Sequence, residues 1–336
     1  MLAPDGSNVG GATVSLNYLV EYIDNQGFAY QLIDTKGVKS VMGKVLNPIL
    51  AIWQFLMKIN QTDVVFVNLS QFGAKTIAPL LYILTRLFGK RFIFRPFGGA
   101  MIDHYEKYWA WQRWLFKKTL LQSDIFYLQT KQLCNYFAPM AKRVEQLPTS
   151  RYAPAAELIR DDRSYAKRFV FLGHINRAKG CWHLSEAIKA FDDSYTLHFY
   201  GPIHDSEFHK ILRKKQRYKG VLDKAAVAAT LREYDVLVLP THYRGEGYPG
   251  VIIEAYSLGL PVITTDWRAI PEIVVPEETG FIVRTKSAPA IAQAMQAFDK
   301  KNYPKMSKRA RQYFEENHEA NTVTSRVIQQ INQLFK

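Results

Sequence analysis

The chain has 336 residues, a formal net charge of +14 and 48% hydrophobic residues. That hydrophobic share excludes a disordered chain, and the length exceeds one ordinary core and suits two domains. The charge calls for an anionic partner, whether nucleic acid, anionic lipid or a phosphorylated substrate, and the scattered pair Cys134 and Cys181 excludes a disulfide framework or a cysteine zinc site.

Met1-Leu-Ala-Pro4 reads as the end of a strand, and a loop with Gly10 and Gly11 leads to a helix from about Thr13 to Gln26. Leu16, Leu19, Val20 and Ile23 share one face of that helix. Taken alone, Gly10-Gly11 is an ordinary strand-to-helix turn. Gln31–Asp34 reads as a short strand, Lys44–Lys58 as an apolar helix and Asp63–Asn68 as a strand. A helix over Thr76–Phe88, stopped by Gly89, leads to the strand Arg91–Phe94 and then Arg95-Pro-Phe-Gly-Gly99. The stretch Val45 to Met57 is the most apolar, but Asn47, Pro48 and Gln54 interrupt it and it is too short to span a membrane. No secretory leader is read, so the expected location is cytoplasmic, with thiols in a reducing compartment.

His104–Leu121 interleaves Trp109, Trp111, Trp114 and Phe116 with Lys107, Arg113, Lys117 and Lys118. It fits a surface resting on an anionic membrane, rings at the interface and cations toward headgroups. It equally fits an amphipathic helix with several of these tryptophans in the core. Nucleic-acid binding is the weaker functional reading, because no nucleic-acid motif accompanies it. Ser123–Leu128 is a strand, Thr130–Phe137 a helix, and Val144–Pro148 closes a first domain over residues 1–150. The polar run Thr149–Lys167 reads as a linker.

A second domain, residues 151–320, opens with the strand Arg168–Leu172, the loop Gly173-His-Ile-Asn-Arg-Ala-Lys-Gly180 and a helix from Trp182 to Phe191. Thr196–Tyr200 is a strand, and His204–Lys219 is basic with no element assigned. His198, His204 and His209 lack partners at metal spacing and read as solvated or structural, as do Asp161-Asp162 and Asp192-Asp193; no metal site is read. The helix Lys224–Glu233 leads to the strand Asp235–Pro240, the polar loop Thr241–Gly250, a helix over Val251–Leu258 stopped by Gly259, and the strand Val262–Thr265. Strand, helix and strand with short joints make a βαβ unit of a parallel sheet. Helices over Ser287–Phe298, Tyr303–Asn317 and Asn321–Phe335 follow.

Glu246 lies in that polar loop and Glu254 about one turn into the helix, near the same end of the sheet. Between them, Gly247 and Gly250 allow a ligand close to the backbone, and Pro249 suits a helix start. Free N–H groups at the start favour phosphate, and carboxylates accept from sugar hydroxyls, so the pair suits a nucleotide sugar.

These residues closely resemble a known family. Pro240-Thr241, Glu246-Gly-Tyr-Pro249, Glu254-Ala255, Gly259-Leu-Pro-Val-Ile263 and Pro271-Glu-Ile-Val274 follow, in one register, the donor-binding motif of the retaining glycosyltransferases of family 4. Trp267-Arg268-Ala269 departs from it where the family often has a Gly pair. The resemblance implies an α/β protein of the GT-B fold, two Rossmann-like parallel-sheet domains facing across a cleft, with residues 321–336 crossing back to the first domain. It implies a retaining, metal-independent hexosyltransferase that uses a UDP- or GDP-linked sugar as co-substrate and has no cofactor. The acceptor would be a saccharide or a polyprenyl-linked sugar, in surface polysaccharide assembly at the inner membrane face.

The family's site residues carry over position by position. Glu254 would hold the ribose hydroxyls. Glu246, with backbone around Gly247, Tyr248, Pro249, Gly250 and Val251, would hold the sugar and diphosphate. Lys179 would stabilise charge on the leaving phosphate; its usual arginine partner is replaced by His174, with Arg177 three residues on. The Gly10-Gly11 loop would lie against the donor and acceptor. The family's full first strand is mostly missing ahead of it, so the start reads as truncated. Where the family often has His-Gly, Arg95-Pro-Phe-Gly-Gly99 stands, which leaves the acceptor side unassigned. Two alternatives are a nucleotide-sugar epimerase of the same fold and an inactive sugar-nucleotide-binding protein.

Overall fold

The computed structural model describes residues 2–3, 11–34, 43–160, 165–215 and 217–336, with backbone alone at 2–3, 11–15, 34 and 43–48. Gly10 and Asp161-Asp162 lie outside the described residues. The chain forms two units: Met1–Thr149 with Val323–Lys336, and Ser150–Thr322.

The first unit runs β1 (Leu2–Ala3), α1 (Gly11–Asn25), β2 (Ile33–Asp34), α2 (Gly43–Lys58), β3 (Val64–Leu69), α3 (Gln71–Thr76), α4 (Ala78–Leu87), β4 (Arg91–Pro96), α5 (Met101–Glu106), α6 (Ala110–Lys118), β5 (Ile125–Leu128), α7 (Lys131–Phe137) and β6 (Val144–Gln146). Its sheet is parallel, in the order β2-β1-β3-β4-β5-β6. The middle strands are apolar almost throughout because helices cover both faces. On one face Leu19 and Ile23 pack with Phe66, Ile93, Ile125 and Tyr127, together with Val323 and Val327 of the last helix. On the other, Phe55, Leu81, Phe116 and Phe137 pack on Val65, Val67, Phe92, Phe94 and Phe126.

The helix expected over 76–88 forms as α4, with Pro79 in its first turn, and a break at Ile77 separates it from the short α3, which was not read from the sequence. The His104–Leu121 segment also breaks in two, with Trp109 capping α6. Its tryptophans are not core. Trp109, Trp111 and Trp114 are 72%, 59% and 61% exposed, while Tyr105, Tyr108 and Phe116 fill the interior. They are not alone. Ile49, Leu50, Trp53, Leu56 and Met57 form an exposed apolar stripe on α2, on the side away from buried Ala51 and Phe55. Leu80, Ile83 and Leu87 repeat the pattern on α4. All three helices pack through one core cluster on the same sheet face, so the stripes belong to one helical layer.

The second unit runs β7 (Arg168–Leu172), α8 (Cys181–Ala187), β8 (Thr196–Tyr200), α9 (Ser206–Lys214), α10 (Val227–Arg232), β9 (Val236–Leu239), α11 (Gly250–Ser257), β10 (Val262–Thr265), β11 (Gly280–Val283), α12 (Ala288–Gln296) and α13 (Tyr303–Asn317). Its parallel sheet has the order β11-β10-β9-β7-β8. From β7 the chain goes one way to β8 and the other way to β9, so the switch point lies between β7 and β9. Helix α9 falls in the stretch assigned no element. Asp205 caps it by accepting from Phe208 N at 3.0 Å, and only Phe208 and Leu212 are buried. Two apolar positions in a basic run make a thin periodic signal. The last helix, α14 (Ala320–Asn332), carries Val323 and Val327 into the core of the first unit.

Candidate active site

The site is built at the carboxyl ends of β7 and β9, where open α/β sheets bind ligands. Gly173 and Gly180 bound the loop after β7. Gly180 has φ +74°, and a Cβ there would stand 2.1 Å from the Pro240 carbonyl oxygen. Only glycine lets this loop lie against the end of β9. Asn176 caps the short 3-10 turn Arg177–Lys179 by accepting from Lys179 N at 3.0 Å. His242 N donates to Ala178 O at 2.7 Å, which ties the two loops together.

Those ties set one ion pair. Lys179 Nζ lies 2.5 Å from Glu246 Oε2, which also accepts from Thr241 Oγ1 at 2.8 Å. Glu246 is 8% exposed, and these partners hold its buried carboxylate group in place. Its second oxygen, Oε1, has no hydrogen-bond partner among the described residues. Lys179 also sits over the Tyr243 ring, 5.3 Å from its centre.

Four residues after Glu246, α11 starts. Pro249 is its cap and offers no side-chain bond to the first-turn amides of Gly250 and Val251. Gly247, Tyr248 and Pro249 are buried around the start. Tyr248 Oη donates to Glu272 Oε2 at 2.5 Å, which holds the ring in the protein interior. Glu254, further along α11, accepts from Arg151 Nε at 2.7 Å through Oε1. Gly250 makes room for that arginine: a Cβ on it would lie 2.0 Å from Arg151 Nη2. Arg151 is the group that reading the sequence missed, and Thr241, read as part of the motif, was given no role there. Arg151 fell in a stretch read as linker, and nothing local marks a lone arginine 103 positions from its carboxylate.

The remaining residues divide. His174 is exposed; its Nδ1 lies 2.9 Å from His204 Nε2 and the rings stack. Partial burial, the neighbouring His204 and then Lys179 hold its pKa below the usual value. Arg177 is turned onto Trp182, 4.8 Å over the ring, and lies 3.9 Å from Asp205. Gly11 opens α1 in the other unit. Among the described residues there is no group of three His, Cys, Asp or Glu able to hold a metal ion.

Lys179, Glu246, the open amides of α11 and Glu254 thus bring to one switch point a cation, two carboxylates and backbone donors. Such a set can bind a diphosphate and hydroxyl groups together and can stabilise negative charge forming on a leaving phosphate.

Residues 166–298 match the family model described as glycosyl transferases group 1. The chain is 32% identical over 127 residues to a 41.2 kDa protein in the cps region of Klebsiella pneumoniae, covering 38% of this chain and 35% of that protein. It is 45% identical over 62 residues to the capsular polysaccharide biosynthesis glycosyltransferase CapM of Staphylococcus aureus, covering 18% and 16%. The chain thus matches about a third or less of the length of these relatives. In three dimensions it is similar to sucrose-phosphate synthase of Thermosynechococcus elongatus, with TM-score 0.75 and 16% identity over 99% of this chain and 98% of that one. It is also similar to Alr3699/HepE of Anabaena, solved with UDP and glucose, with TM-score 0.71 and 12% identity over 98% of each chain. With its two parallel α/β sheets and these neighbours across nearly the whole chain, the protein has the GT-B fold.

Proposed function

We propose that this protein is a retaining glycosyltransferase that moves a hexose from a UDP- or GDP-linked donor to a saccharide or polyprenyl-linked acceptor in surface polysaccharide assembly. The observation that carries the reading is the Lys179–Glu246 pair at the β7/β9 switch point, four residues ahead of the open start of α11. The second unit holds the donor. Amides of Gly250 and Val251 take the diphosphate, Glu246 Oε1 a sugar hydroxyl, and the free oxygen of Glu254 the ribose. Lys179 stabilises charge on the leaving diphosphate, with His174 beside it, and turnover needs no added metal. The first unit takes the acceptor. The family match over 166–298 and the name of the S. aureus relative support the class and setting, and the Anabaena neighbour's complex supports a UDP-linked donor.

The test is calorimetric titration with UDP, GDP, ADP and their sugars, with Glu254→Ala beside the wild type. One nucleotide binds selectively, and the variant weakens it by about tenfold or more, the worth of a charged hydrogen bond. No binding, or a variant that binds like the wild type, would overturn the donor assignment. Product NMR then reads the anomer: an α-linked donor yields an α-linked product, and inversion would refute the retaining mechanism. Turnover that EDTA abolishes and a divalent cation restores would refute metal independence.

The exposed stripes of α2, α4 and α6 support a peripheral position on the inner membrane face. Residues 43–122 hold eleven Lys and Arg against three Asp and Glu, so the layer pairs apolar rings with positive charge. Flotation with vesicles containing phosphatidylglycerol tests it: the protein floats with them, and Trp53→Ser with Trp114→Ser releases it. Failure to float at low salt would refute the membrane position.

A further inference from the structure

The carboxyl edge of the first unit's sheet carries a polar cluster that the donor site does not use. Its switch point lies between β1 and β3, because β1 leads one way to β2 and the chain then returns past it to β3. Asn68, near the end of β3, and Arg95, near the end of β4, are register partners. Phe94 pairs with Phe126, so Tyr127 continues the row. Phe66, Ile93, Ile125 and Tyr127 share one face, and alternation puts Asn68 and Arg95 on that face too.

Among the described residues, neither side chain has a hydrogen-bond partner. Asn68 is wholly buried, and both ends of its carboxamide are orphaned there. Arg95 is 4% exposed, and no carboxylate pairs with it among the described residues; its guanidinium lies over the Phe97 ring, 4.8 Å from the centre. Burial pushes the guanidinium down to about 10, which leaves it charged at neutral pH. The Tyr127 hydroxyl is committed, donating to Gln330 Oε1 at 2.7 Å. Two buried carboxylates of the fold are paired. Buried Asp124 meets Arg86 at 2.8 Å and Lys142 at 3.0 Å, and buried Asp235 meets Arg168 at 2.8 Å. An unpaired buried cation next to an orphan amide is costly to keep. One ligand relieves both: an oxyanion accepts from the guanidinium fork and the Asn68 amide, while a neighbouring hydroxyl donates to Asn68 Oδ1.

We propose that Arg95 and Asn68 form an oxyanion-binding subsite that holds a phosphate or carboxylate group of the acceptor. This rests on the first unit being the acceptor side. The shared chemistry has two sources, the phosphate of a lipid carrier and the carboxylate of an acidic sugar.

The experiment is calorimetry of the full chain with inorganic phosphate and with glucuronate, each in saturating UDP so that the second unit's phosphate site is filled. Wild-type protein binds at least one of them. Arg95→Met weakens that binding by about 10- to 100-fold, as expected for a charged hydrogen-bond donor, and Asn68→Ala weakens it by less. A preference for phosphate identifies the lipid carrier, and one for glucuronate an acidic sugar. No binding by the wild type, or equal binding in both variants, overturns the subsite. Where Arg95→Met does not fold, Asn68→Ala decides by the same criterion. UDP affinity is measured first: its absence removes the donor assignment, while the Arg95-dependent titration still decides this one.

Discussion

Replacing Gly250 with Ala tests whether the start of α11 is shaped around Arg151. The new Cβ would lie 2.0 Å from Arg151 Nη2 and 3.0 Å from Cζ, where ordinary contact begins near 3.4 Å. The backbone there is not left-handed, so the residue itself carries no strain and Ala would favour the helix by up to about 1 kcal/mol. The guanidinium must instead retreat by about 1.4 Å. A shift of that size breaks its 2.7 Å bond from Nε to Glu254 and strains the 2.9 Å bond from Nη1 to the Ser150 carbonyl. A charge-assisted hydrogen bond contributes about 1.5–3 kcal/mol, so a net loss of about 1–2 kcal/mol remains. For a unit of this size that is a fall in Tm of about 2–8 °C. Differential scanning calorimetry reads it, with Arg151→Met as the control background. In that background the clash is gone, and Gly250→Ala becomes neutral or mildly stabilising. A Tm that stays level or rises in the native background, or an equal fall in both, would refute the reasoning.

Lys179→Ala leaves Glu246 as a buried carboxylate held only by Thr241, and stability falls by about 3 kcal/mol. Adding Glu246→Gln removes the stranded charge and restores most of the Tm, but turnover stays low; recovery of turnover in the double variant would make Lys179 structural. His174 titrates below the usual histidine range, chiefly through partial burial and then through His204 and Lys179. The folded state therefore binds fewer protons than the unfolded state as pH drops from about 6.5, and stability falls with pH over that window. His174→Gln reduces that slope in urea melts at pH 5 to 8, the remainder coming from His198 and His242, which burial also holds low, and an unchanged slope would remove His174 as a contributor. For the same reason the wild type's advantage over His174→Gln in UDP affinity is near unity at pH 8 and grows below pH 6, where the imidazolium faces the diphosphate; a constant ratio would remove His174 from the donor site.

Local chemistry made much of this legible. Glu246-Gly-Tyr-Pro249 and Glu254 could be recognised because a loop that approaches a phosphate needs glycine, a helix start tolerates proline, and each requirement acts within a few residues. Period and punctuation likewise placed α11, β9, β10 and most helices. Helix α9 escaped because two buried apolar residues in a basic run give almost no period, and only its Asp205 cap marks it. The tryptophans of α6 were ambiguous because an apolar stripe reads the same whether it faces a core or solvent. The outcome turned on Tyr105, Tyr108 and Phe116 occupying the interior first.

By itself, then, the sequence determined two parallel α/β sheets and the residue types of the candidate site, since strand length, helix caps and glycine turns are set by neighbours along the chain. Only tertiary structure decided the partners. Arg151 reaches Glu254 across 103 positions, Lys179 reaches Glu246 across 67, and Asn68 meets Arg95 across adjacent strands. Burial and pairing of charge depend on which chain segments the sheet order brings together, and no local pattern encodes that. The same residue types could have been solvated surface groups, and the closeness imposed by the two switch points is what gives them chemistry.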